Sequence, residues 1–273
     1  MRLVLSQDNR LGVERDGGMI DVTAAFADIP FRSAADRMPR VIATLADRRS
    51  AVEELAASGE VAPLPALQSP VPRPPKVIAA VGNIRETADL ERPKQDMFLQ
   101  SPDAVIGPDG VVNLPRIATQ GVRADATLAL LVGTQAKNLP ADRRALEALA
   151  GYTCAIDISA EGIGRIGPPR IGASFDTSTP LGPALVTPDE VPDPNQLRVT
   201  LAINGQQRQE YSTAEMTYSV PEILAFISGY MTLVPGDVIL CGALSDSDSR
   251  ITAGDRLEAS ILRIGTLAVT VRA

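Results

Sequence analysis

A chain of 273 residues, 45% of them apolar, is long enough to bury a sizeable core and is ordinary in composition for a globular protein. Thirty-three acidic against 26 basic residues leave a formal charge of -7 with no run of Lys or Arg, which excludes nucleic acid and an anionic membrane as main partners. Small molecules and other proteins remain. No segment approaches the ~20 apolar residues of a membrane span, and MRLVLSQDNRLGVERDGG lacks a long apolar leader, so a cytoplasmic location is expected.

Along the chain, Arg2 to Leu5, Leu11 to Glu14 and Met19 to Val22 are short apolar runs separated by Asp8-Asn9 and Asp16-Gly17-Gly18, the pattern of a small antiparallel meander. Met38, Val41, Ile42, Leu45, Val52, Leu55 and Ala56 then recur at helical spacing and predict one amphipathic helix, ended at Ser58-Gly59 by a left-handed glycine. Prolines at short intervals from Pro63 to Pro75 deny the backbone donors that a helix or central strand needs, and read as a linker. The expected division is therefore a small N-terminal β-α domain over 1–70 and a core domain over 71–273.

In the second part, Val77 to Val81 and Leu128 to Val132 suit buried strands, and a helix is expected over about Ala141 to Ala150. Ser219 and Glu222 have capping-box spacing, with Pro221 tolerated in the first turn, so another helix begins there. Val238 to Cys241, Arg256 to Ile261 and Leu267 to Val271 follow as strands joined by Pro235-Gly236-Asp237, Gly254-Asp255 and Gly265. A mainly β fold with some α results, its core a folded, largely antiparallel sheet or barrel. Cys154 and Cys241 lie in apolar stretches and are expected to be buried, reduced thiols. Histidine is absent from the whole chain.

Several motifs resemble the fumarylacetoacetate hydrolase family in one consistent order. They are Gly151-Tyr152-Thr153 with Asp157, Ser159 and Ala160; Ser174-Phe175-Asp176-Thr177 before Pro180-Leu181-Gly182-Pro183; Asn204-Gly205 with Gln209, Thr213 and Met216; and Leu233-Val234-Pro235-Gly236-Asp237-Val238-Ile239. The resemblance runs from about Pro72 to Ala273. It implies the family's distorted β-roll or barrel core, commonly in a two-fold homodimer, and cleavage or rearrangement of acylpyruvates and related 2-oxo acids, usually with Mg²⁺ or Mn²⁺.

Carried over position by position, the resemblance implies a much altered site. The metal-binding Glu-x-Glu reads Asp125-Ala126-Thr127, and the metal-binding Asp is retained as Asp157. The following Arg is Glu161, a charge reversal; two expected lysines are Ala173 and Gln100; and Thr87 occupies the place of the general-base His. The implied substrate-binding positions are Asn83, Ile84, Phe98, Gln100, Thr127, Ala173, Thr177 and Ala243. Threonine cannot serve as a base near neutrality, and the lost cations disfavour a dianionic substrate.

If Asp125, Asp157 and Glu161 share one cleft at about 5 Å, each pair repels by roughly 3 kcal/mol, so either a cation joins them or one acid is protonated. The leading reading is thus a divergent enzyme with non-hydrolytic chemistry on a dicarbonyl-like small molecule: tautomerisation, decarboxylation, a lyase reaction or cyclisation. Asp157 and Glu161 are its catalytic candidates, and no metal is required, or Mg²⁺ or Mn²⁺ binds weakly at Asp125 and Asp157. The alternatives are an inactive pseudoenzyme or binding subunit, and a metal-dependent acylpyruvate-type hydrolase with a rebuilt site. For each acid a plainer role stands beside the chemical one: a turn cap at Asp157, and ion pairs of Glu161 with Arg165 or Arg170 and of Asp125 with Arg123 or Arg116.

Overall fold

The computed structural model describes residues 1–273 except 85–91, 93, 119, 164–169, 243 and 245–246. The N-terminal meander forms as its alternation predicts: β1 (Arg2–Leu5), β2 (Leu11–Arg15) and β3 (Gly18–Asp21), followed by α1 (Ala34–Thr44), α2 (Arg49–Ser58) and the short β4 (Ala62–Pro63). Beyond these lie β5 (Val77–Ala80), β6 (Met97–Gln100), β7 (Val105–Ile106), β8 (Val111–Asn113), β9 (Val122–Val132), β10 (Leu149–Ala160) and β11 (Thr179–Val186). The chain ends with β12 (Arg198–Ile203), β13 (Gln206–Ser212), α3 (Val220–Tyr230), β14 (Val238–Leu240), β15 (Arg250–Ile251), β16 (Arg256–Ile261) and β17 (Gly265–Arg272).

The strands make two sheets. One runs β4-β3-β2-β1-β11-β10-β9-β14-β5-β6, with β15 on β9 and β7 on β11; the other runs β13-β12-β16-β17-β8. Most pairs are antiparallel, while β14 with β5, β11 with β7, and β17 with β8 are parallel. The class is therefore mainly β, as expected, but among the described residues neither sheet closes into a barrel. One face of β9 and β10 packs through Leu128, Leu130, Ile156 and Ile158 against the second sheet, including Val199, Leu201, Leu257 and Leu267. On the opposite face, Ala129, Leu131 and Ala155 join Val41, Ile42 and Val52 of the helices. The N-terminal strands are not separate from this sheet, because β1 pairs directly with β11.

Four local expectations need correction. The single helix over Met38 to Ala56 is two, because Thr44 turns its hydroxyl back onto the Arg40 and Val41 carbonyls at 3.1 and 3.2 Å, a contact that bends helices. Arg48, in the break, reaches Asp28 through both terminal nitrogens and the Ala25 carbonyl at 2.6 Å. Gly59 does end α2, but with an ordinary φ of -78. Glycine is needed there for space, since a Cβ would meet the Ile20 side chain and the Leu55 carbonyl oxygen. Gly59→Ala is expected to cost about 1–2 kcal/mol of stability in urea unfolding, the usual scale of overpacking.

The helix expected over about Ala141 to Ala150 is a 3-10 turn, Arg143–Ala148, whose successor residues already belong to β10. The Ala148 carbonyl accepts the Gly133 and Thr134 amides at 2.7 and 3.2 Å, so pairing with the exit of β9 replaces continued helix. The Pro-rich segment is an ordered strap rather than a loose linker. Gln68 N bonds Leu5 O at 2.8 Å, Gln7 N bonds Ala66 O at 2.9 Å, and Ser69 and Val71 are buried. The capping box at α3 forms as read, with Ser219 N donating to Glu222 Oε2 at 2.9 Å.

Candidate active site

Register builds the site. In the antiparallel pair of β10 with β9, Asp157 lies opposite Asp125 and Ser159 opposite Arg123. Directly opposed residues share a face, so the two carboxylates retained from the family pattern project together from adjacent strands. Ile156 and Ile158, which flank Asp157 on β10, point into the core on the other side.

Asp157 is half-buried, and its Oδ1 accepts the Gln100 side-chain amide at 2.8 Å. Gln100 is itself fixed, because Thr179 donates its hydroxyl to the Gln100 Oε1 at 3.0 Å. The amide N–H is therefore the end presented to Asp157. Burial pushes the Asp157 carboxyl up to about 6, opposed by the Gln100 bond and reinforced by the charge of Asp125.

Asp125 is held at a gap in the sheet edge. On the side away from β10, β9 pairs β14 through Ala129 to Leu131 and β15 through Val122 and Arg123, and among the described residues no strand pairs with its middle there. Side chains and turns satisfy the backbone there. Ala126 N donates to Gln209 Oε1 at 3.2 Å, Ala126 O accepts the Tyr211 hydroxyl at 3.0 Å, and Cys241 N donates to Leu128 O at 2.9 Å. With its oxygen so committed, Gln209 turns its amide nitrogen to Asp125 Oδ1 at 2.5 Å and to Leu244 O at 2.7 Å. Ser249 Oγ adds a second donor to Asp125 at 3.2 Å.

Glu161 sits four residues beyond Asp157, about 13 Å along the strand. It pairs with Arg250 at 2.8 Å and with Arg123 at 3.8 Å, and the side chain of Arg170, another expected partner, is not among those described. Arg165 lies outside the described residues. Asp125 and Asp157 are thus brought together, while Glu161 belongs to an adjoining cluster of arginines.

The other candidate positions divide by what they touch. Thr127 is buried and donates to Gly242 O at 2.7 Å. Asn83 is buried, gives its amide to Tyr218 O at 3.1 Å and Cys241 O at 2.8 Å, and accepts Tyr218 N at 2.8 Å. Ile84 bridges Met216, Phe98 packs against the helix-side core, and Ala173 is buried in the turn Arg170–Ala173. Thr177 takes a φ of 70, strained for a β-branched residue, and its hydroxyl accepts Asn113 N at 2.9 Å. Ala243 and Thr87 lie outside the described residues. Both cysteines are free and buried, and desolvation raises Cys154 to about 12 and Cys241 further, so neither is a nucleophile at neutral pH.

A divalent cation fits the described donors poorly. Asp125 Oδ1 already takes an amide and a hydroxyl, Asp157 Oδ1 takes the Gln100 amide, and among the described residues no group of three His, Cys, Asp or Glu side chains converges. Hard cations require about six oxygens. Calorimetric titration with Mn²⁺ at pH 7 is expected to give no saturation below about 1 mM, at the weak end of the scale for oxygen-ligand sites.

Comparison with known proteins agrees with the motifs. The family model for the fumarylacetoacetate (FAA) hydrolase C-terminal domain matches residues 75–272, and the chain belongs to that family. A mitochondrial oxaloacetate tautomerase of Bos taurus is 34% identical over 243 residues, spanning 85% of this chain and 76% of that protein. The maleylpyruvate hydrolase of Aquipseudomonas alcaligenes is 31% identical over 296 residues, spanning 100% and 99%. Among solved structures, maleylpyruvate hydrolase from Sphingobium sp. SYK-6, in complex with manganese (II) ion and pyruvate, superimposes with a TM-score of 0.88 at 30% identity, covering 100% of this chain and 99% of that one. The fold carries enzymes that act on dicarbonyl acids, by hydrolysis in some and tautomerisation in others.

Proposed function

We propose that this chain is a tautomerase of a small 1,3-dicarbonyl acid, with Asp157 as the group that moves the proton. The observation that carries this reading is the placement of Asp157: half-buried, opposite Asp125, and oriented by an amide that is itself anchored. A carbon between two carbonyls is acidic enough for a carboxylate to deprotonate. In the proposed step Asp157 takes the proton from that carbon, the C–H pair moves into the enolate, and the resulting carboxylic acid delivers the same proton to the carbonyl oxygen. An O–H bond replaces the C–H bond, and the carboxylate is regenerated without water entering the balance.

A base titrating near 6 is mostly ionised at neutral pH yet stronger than an ordinary aspartate, which suits both halves of the transfer. Gln100 keeps the carboxylate in register. Glu161 acts on the site through Arg123 and Arg250 rather than on the reacting carbon. The tautomerase named among the relatives supports the reaction type, and the absence of histidine from the chain weighs against water activation by imidazole.

The test is ultraviolet: enol and keto forms of a 1,3-dicarbonyl acid differ in absorbance, so relaxation of a freshly dissolved keto acid reports tautomerisation directly. Acceleration in proportion to protein concentration is expected, with no cleavage product by mass spectrometry. Relaxation at the buffer rate, or accumulation of a hydrolysis product, would rule the reading out.

A further inference from the structure

We propose that the cavity lined by Tyr152 is a second binding site, separate from Asp157, that takes an apolar amino acid between Arg143 and Glu147. The cavity, of about 620 Å³, is within the range of small-molecule sites, and its walls include Leu146, Leu149, Val191, Pro188, Pro192 and Pro194. Tyr152 stands five residues before Asp157 on β10, about 17 Å away along the strand, and on the opposite face with Cys154, Ile156 and Ile158. The pairing of β10 slips between Leu149 and Gly151 against β9 and between Tyr152 and Cys154 against β11, and such slips re-aim a side chain. The Tyr152 ring is packed into the core, 1% exposed, yet its hydroxyl makes no hydrogen bond among the described residues. A buried phenol ordinarily finds a partner. Burial first, then the nearby Cys241 and Asp193, hold this one above its ordinary value against the pull of Arg143, so it is a donor at neutral pH.

Arg143 and Glu147 line the same cavity from the 3-10 turn Arg143–Ala148. In an α-helix residues four apart are neighbours, and opposite charges at that spacing pair. A 3-10 turn has three residues per turn and rises about 2 Å per residue, so Arg143 and Glu147 stand about 120° and about 8 Å apart and make no ion pair with each other. Arg143 gives one bond, from Nη2 to Pro192 O at 3.1 Å, which fixes its plane and leaves other N–H groups to donate. Glu147 makes no hydrogen bond or ion pair among the described residues and feels only the neighbouring charge of Arg144. Arg144 itself is spent on Asp142 at 2.7 Å, and Asp193 Oδ1 accepts the backbone and side-chain amides of Asn195 at 2.9 and 3.1 Å. One cation, one anion and one hydroxyl therefore remain unsatisfied beside apolar walls. A zwitterion with an apolar side chain matches each of them: its carboxylate meets Arg143 and Tyr152, its ammonium meets Glu147, and its side chain meets the leucines and prolines. The strap that carries the prolines is fixed, since Thr213 Oγ1 donates to Pro194 O at 2.8 Å, so the cavity exists before a ligand enters.

The experiment is calorimetric titration of the whole chain with four probes: L-leucine; 4-methylpentanoate, which lacks the ammonium; 3-methylbutylamine, which lacks the carboxylate; and glycine, which lacks the apolar side chain. L-Leucine is expected to saturate a single site per chain, at least about tenfold more tightly than each of the others, the scale of one charge-assisted bond. Arg143→Gln should weaken L-leucine about tenfold and leave 3-methylbutylamine unchanged, while Glu147→Gln should weaken L-leucine about as much and leave 4-methylpentanoate unchanged. Tyr152→Phe should weaken L-leucine yet keep the urea midpoint, because the hydroxyl bonds no described residue of the protein. Asp157→Asn should bind L-leucine as the parent does. No saturation by L-leucine, an affinity equal to those of the analogues, or full affinity in Arg143→Gln overturns the proposal. So does weaker binding by Asp157→Asn, which would put the amino acid at the other site, or a lowered midpoint in Tyr152→Phe, which would make the hydroxyl structural.

Discussion

Asp157→Asn is expected to lower the tautomerisation rate by about 10²–10⁴-fold, the usual contribution of a positioned acid-base group, while making the protein more stable at neutral pH. The two effects have one cause. Burial and the facing Asp125 hold the Asp157 carboxyl at about 6, so the fold favours its protonated form. The stabilisation linked to that proton is complete below about pH 4 and is lost as pH rises through 6, because the folded value lies above the unfolded one. An asparagine carries no charge at any pH. The variant should therefore gain up to about 3 kcal/mol over the parent at pH 8 and nothing at pH 4, as a carboxyl titrating at 6 instead of near 4 implies. Denaturant melts of both proteins at the two pH values measure this directly. The activity of the parent should rise with pH through about 6 and level off above 7, since the base form is the one that abstracts the proton. A stability difference that is equal at both pH values, or a flat activity profile, would place the charge of Asp157 outside the buried site.

Asn83→Ala is the second large effect, and it falls on stability. Asn83 satisfies three backbone groups at once: the Tyr218 amide and carbonyl and the Cys241 carbonyl. It thereby ties the end of β5 to the approach to α3 and to the turn after β14. Each buried group left unpaired costs about 1–3 kcal/mol, so a loss of about 3–5 kcal/mol in urea unfolding is expected. Asn83→Asp retains the acceptor but loses the two donated bonds and should fall near the same value. A cost below about 1 kcal/mol would mean that water replaces these bonds, and the position would then be open to a substrate. Gly242 shows how tightly the turn is packed, since a Cβ there would stand 2.8 Å from the Asn83 Cβ.

Much of the fold was legible in local signals. Period-two alternation broken by Asp-Asn and Asp-Gly-Gly marked β1 to β3, and the Ser219 and Glu222 spacing marked the start of α3. The misreadings occurred where contacts that spacing does not reveal outweighed it, beginning with the Thr44 hydroxyl turned back on the Arg40 and Val41 carbonyls. Arg48 reaching Asp28 accompanies the helix break, and the Ala148 carbonyl given to β9 ends a turn that composition alone would continue. Gln209 illustrates the limit for the site. It stands in a motif that marks the family, yet nothing near it in the chain reveals that its amide crosses to Asp125, 84 residues away.

By itself the amino-acid order determined the kinds of chemistry available: two aspartates in a family pattern, a glutamate where a cation stood, and no imidazole at all. It also determined the faces of the strands, because the alternation of side chains is a property of each strand alone. Only the tertiary structure decided which faces meet. The register that sets Asp157 against Asp125, the edge gap filled by Gln209 and Tyr211, and the sharing of Glu161 between Arg123 and Arg250 all join residues far apart in the chain. Burial and facing charge, which shift a carboxyl toward neutrality, exist only once those strands are side by side.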